Sequence, residues 1–184
     1  MATPLEAIVA DITLPAVPGE PGSSPGATVY RGGHAYQARA ETIRVMKERH
    51  RGRRALLALE FDDTEGRPWW YAYGVLEQAD GSWRREGGWG GSRGGELSRP
   101  GPWANFGGAG HYLGGRVHGA DVDRVRFVDR GGVIAEDTIE HGLALLIADA
   151  PVRAHGRLEL YDMQGKLLAN QPWPPKRQPA RRRS

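Results

Sequence analysis

Residues 69–76 read Trp-Trp-Tyr-Ala-Tyr-Gly-Val-Leu, which sets Trp69, Tyr71, Tyr73 and Val75 on one face and Trp70, Ala72, Gly74 and Leu76 on the other. Aromatic residues at a period of two predict a β-strand, because successive side chains of an extended chain point to opposite faces. From Arg54 onward, segments of this length recur between turn signals at the spacing of sandwiches and barrels. Ala55–Phe61 is one strand, and Asp-Asp-Thr-Glu-Gly at 62–66 turns the chain into the aromatic one. The Ala79-Asp80-Gly81 turn closes a hairpin onto Trp83–Glu86, since Asp-Gly suits the positive φ of tight hairpin turns.

The last third carries the clearest pattern. Tyr112–His118 leads to Asp123–Val128, where Val125 and Phe127 alternate with Arg124 and Arg126 as a half-buried strand does. After the turn at 129–132, Val133–Ile139 and Leu143–Ala148 predict a hairpin around His141-Gly142, its second strand apolar enough to be buried on both faces. Leu158 and Leu160 point inward between Arg157, Glu159 and Tyr161; residues 162–165 then turn the chain into Lys166–Ala169, and Pro172, Pro174 and Pro175 end regular structure.

Residues 87–110, rich in glycine with Trp89, Trp103 and Phe106 embedded, show no helical or strand period and are expected to form a long loop. Ile43, Val45 and Met46 among charges predict a short helix at 41–50. The apolar stretch Leu5–Leu14 is a docked strand or short helix ended by Pro15. The expected organisation is a docked segment at 1–14, a Pro/Gly/Ser linker at 15–28, one β-rich domain at 29–170 and a disordered basic tail at 171–184. The fold class is mainly β: an antiparallel immunoglobulin-like sandwich or a partly open barrel.

Composition narrows the chemistry. With 27 Gly and 13 Pro in 184 residues, turns outweigh long helices. The chain has no cysteine, which excludes disulfides, thiolate metal sites and a cysteine nucleophile. Glu6 and Asp11 interrupt the first apolar stretch and no basic segment precedes it, so a cytoplasmic location is expected rather than a signal peptide. Leu143–Ala148 is too short to span a bilayer. The net charge of +3 belongs to the tail: Lys176, Arg177, Arg181, Arg182 and Arg183 removed from 25 basic residues leave 20 against 22 acidic ones. Nucleic-acid contact is therefore expected only through these five residues.

Val122–Gly132 (VDRVRFVDRGG in the segment) and Arg157–Leu168 (RLELYDMQGKLL) resemble the strand pattern of bacterial immunoglobulin-like or carboxypeptidase-regulatory-like β-sandwich proteins. The order WWYAY, glycine-rich loop, GPWANFGG, YLGGRV and then these strands is similar to uncharacterised proteins of high-GC bacteria. The resemblance covers about residues 54–170 and implies the sandwich; it brings no catalytic motif.

Two sets of residues are candidate sites. Trp83, Trp89, Trp103, Phe106 and Tyr112 lie in or beside the glycine-rich stretch, where small residues allow a partner or flat ligand to approach; packing at the end of a sandwich is the simpler use of such rings. His111, His118, Asp121 and Asp123 have the chemistry of a metal site or a small hydrolase, although Gly119 and Asp121 also suit an ordinary turn. Glu136, Asp137, Glu140 and His141 hold acid-base chemistry or, more simply, form a solvated strand face. Ser92 and Ser98 lack a nucleophile elbow, and the glycines at 87–95 do not open a helix as phosphate loops do. The expected function is a noncatalytic binding module with another protein as partner, without a cofactor; the alternative is the His/Asp enzyme at 111–123.

Overall fold

The Trp69–Leu76 alternation becomes the third of eleven strands in the computed structural model, which describes residues 2–14, 37–93, 99–152 and 155–174. The expected linker at 15–28 and the five tail cations lie outside these residues. β1 (Arg44–Arg51), β2 (Arg54–Asp62), β3 (Pro68–Glu77) and β4 (Trp83–Ser92) form an antiparallel first sheet in chain order. β5 (Trp103–Ala109), β6 (Tyr112–His118) and β9 (Leu143–Ile147) make a second, ordered 5-6-9. β7 (Arg124–Asp129), β8 (Gly132–Thr138), β10 (Gly156–Tyr161) and β11 (Leu167–Trp173) make a third, ordered 11-10-7-8. The architecture is mainly β and sandwich-like, and among the described residues the strands close no barrel.

The sheets stack, and the second is shared. Leu56, Ala58, Trp70 and Ala72 of the first sheet pack on Tyr112, Leu143, Leu145 and Ile147 of the second. Leu113, Val117, Ala144 and Leu146, from the opposite face of the second, pack on Val125, Phe127, Leu158 and Leu160 of the third. The apolar run of β9 follows directly: alternate residues of one strand enter two different cores. A third cluster lies on the outer side of the first sheet, where Ile8 and Ile12 of α1 (Pro4–Ile12) cover Leu57, Leu59, Tyr73 and Val75. Thr3 and Glu6 form a capping box with Pro4 in the first turn, so α1 starts where its sequence signature directs.

Four expectations change. Residues 44–51 are strand, not helix: a bulge between Val45 and Lys47 breaks the two-residue alternation, which makes an edge strand read as an amphipathic helix. The glycine-rich stretch is largely strand as well. Gly87–Gly91 pair with β3, and a Cβ on Gly88 would meet the Tyr73 ring at 2.9 Å, so the backbone ladder persists where side-chain period is erased. The expected β8–β9 hairpin is instead a crossing between sheets. His141 and Gly142 turn the chain at φ 52° and 69°, only Glu140 bridges to Leu143, and β9 goes on to pair with β6. Finally, Pro172 lies inside β11, an edge strand that tolerates a missing N–H, so regular structure runs through Trp173.

Candidate functional site

The connection leaving β6 and the turn joining β10 to β11 face each other across a cavity of about 500 Å³. Asp121, Val122, Asp123, Asp162, Lys166 and Leu168 line it, together with Met163, which is 79% exposed. Backbone bonds fix both walls. Asp123 N–H donates to the Tyr161 carbonyl at 2.9 Å, and its own carbonyl accepts from Ile139 at 2.6 Å, so this residue ties β10 to the end of β8. Across the cavity, Asp162 Oδ1 accepts the Lys166 N–H at 2.8 Å and Gly165 supplies a φ of 80°, the geometry of a side-chain-stapled turn. The result is a concave, mainly carboxylate surface with one amine and an apolar rim.

Beside it, Trp103 stacks on His118, ring centroids 4.0 Å apart and planes 9° from parallel, and the Arg99 guanidinium lies over the indole at 5.2 Å. The stack and the cavity wall are neighbours along the chain: Gly119 follows His118, and a Cβ on it would come within 3.2 Å of Pro102, next to Trp103, and 3.1 Å of Val122 in the cavity wall. The end of the glycine-rich connection therefore packs beside the Asp121/Asp123 loop.

The structure distributes the sequence-selected residues unevenly. Asp121 and Asp123 share the cavity, but the His118 ring is engaged by Trp103, and His111 sits at the opposite end of β6 with Nδ1 3.0 Å from the Ala148 carbonyl. Among the described residues no three His, Asp or Glu side chains gather in a way that suits a metal ion. The five rings go to different places. Trp83 is half-buried beside the core under α1, whereas Phe106 belongs to the core between the second and third sheets. Trp89 and Tyr112 lie between the first and second sheets. Trp89 Nε1 donates to the Gly114 carbonyl at 2.8 Å, and its ring occupies the space a Cβ on Gly107 would need, at 2.3 Å. The Tyr112 hydroxyl lies 2.9 Å from both the Val75 carbonyl and Glu86 Oε2; burial, reinforced by Glu86, pushes its pKa up. Trp103, 7% exposed, stacks on His118, and none of the five rings lines the cavity.

The acidic group on β8 divides. Glu136 faces solvent with Arg126 at 2.8 Å, and Glu140 and His141 are exposed at the turn. Asp137, expected on a solvated face, is buried: it shares the inward parity of Ala135 and meets Lys47 Nζ at 2.7 Å, Arg49 at 3.2 Å and the Leu145 N–H at 2.7 Å. Lys47 also donates to the Thr138 and Leu143 carbonyls, which uses all three ammonium protons. This pin joins β1 to β8 past the edge of β9. Sequence reasoning missed Lys47. Its identity held a signal, since only 3 lysines stand beside 22 arginines and a compact ammonium fits a closed site that a guanidinium does not.

No protein-family model, curated protein or solved structure matches this chain.

Proposed function

We propose that the chain is a noncatalytic interaction module that receives another protein at the cavity end of its second and third sheets. One observation carries the reading: Met163, 79% exposed, rims a concave surface holding Asp121, Asp123 and Asp162. A flexible thioether at a concave rim adapts to an apolar partner side chain, and the carboxylates select a basic neighbour on it. The rings deeper in the glycine-rich region hold the sheets that present this surface. A cytoplasmic location accompanies the proposal, and among the described residues no helix is long and apolar enough to cross a membrane.

The test compares proteins captured by immobilised full chain with those captured by Met163→Asp, using Val133→Asp as a control at another exposed apolar position. At least one protein should be held by the parent and by the control but lost with Met163→Asp, in a variant whose circular dichroism is unchanged. Identical capture by all three overturns the proposal. A metal-dependent hydrolase is the second reading, favoured by the presence of Asp121 and Asp123 in one cavity. Calorimetric titration with Mn²⁺ or Zn²⁺ should then show binding that Asp121→Asn/Asp123→Asn abolishes.

A further inference from the structure

We draw no further inference here: the strongest candidate, the aromatic face that Phe61, Trp69 and Tyr71 form on the outer side of the first sheet, carries nothing because nothing among the described residues shows what covers it.

Discussion

Replacing Asp63 by asparagine should remove a pH-dependent share of the stability of the first sheet. Asp63 closes the turn between β2 and β3 and is only 1% exposed. Burial favours its neutral form, yet four donors outweigh that. The Arg67 and Glu65 N–H groups each bond Oδ1 at 2.9 Å, and Arg67 Nε and Trp69 Nε1 bond Oδ2 at 2.8 Å and 3.0 Å. Together they lower the pKa from 3.8 to about 2. At 1.36 kcal/mol per pKa unit, the ionised carboxylate contributes about 2 kcal/mol at neutral pH. The folded-state value is the lower one, so this stability is fully present above the unfolded pKa and disappears as pH falls through 2. Asparagine keeps one acceptor but turns an NH₂ toward Trp69 Nε1 and Arg67 Nε, leaving donors unmatched. Urea unfolding followed by tryptophan fluorescence should find the variant about 2–3 kcal/mol less stable at pH 7, with the gap below about 1 kcal/mol near pH 2. A gap that does not change with pH, or none at pH 7, refutes the reasoning.

Lys47→Met leaves Asp137 buried without its main counter-charge and should cost about 3–5 kcal/mol in urea unfolding, whereas Lys47→Met combined with Asp137→Leu should recover most of that loss. Gln171 donates to the Ala104 carbonyl at 2.7 Å and accepts its N–H at 2.9 Å, so its amide pairs β11 with β5 as a strand would. Gln171→Ala should therefore cost about 1–3 kcal/mol and release the Ala104 amide to hydrogen exchange while leaving the Ala58 amide protected. Gly107→Ala pushes a methyl into the Trp89 ring and should cost about 1–3 kcal/mol, with a red shift of tryptophan emission as the indole loses its bond to Gly114.

Side-chain period read β3, β7 and β9 correctly because each puts its residues on defined faces, and the double burial of β9 was legible from an apolar run too short for a helix. It failed in two physically different ways. At β1, one bulged residue inverted the parity of everything before it, and two apolar neighbours then looked helical. At β4, the partner strand needed absence: the Tyr73 ring takes the space that a side chain on Gly88 would fill, and the Trp70 carbonyl and Tyr71 take that of one on Gly90. A strand chosen for its lack of side chains has no pattern to read. The cavity was half legible, since Asp121 and Asp123 stood out by type, but Asp162 and Lys166 reach it only through the β7–β10 pairing, about 40 residues downstream.

The shared second sheet has a consequence for how the molecule comes apart. A fragment ending after β4 would present Leu56, Ala58 and Trp70 to water, and one beginning at β5 would bare Tyr112, Leu143, Leu145 and Ile147. Neither half has a dry exterior without the other. The party wall thus makes the two sandwiches a single melting unit, and one substitution at Leu145 or Leu146 is felt in the free energy of the whole.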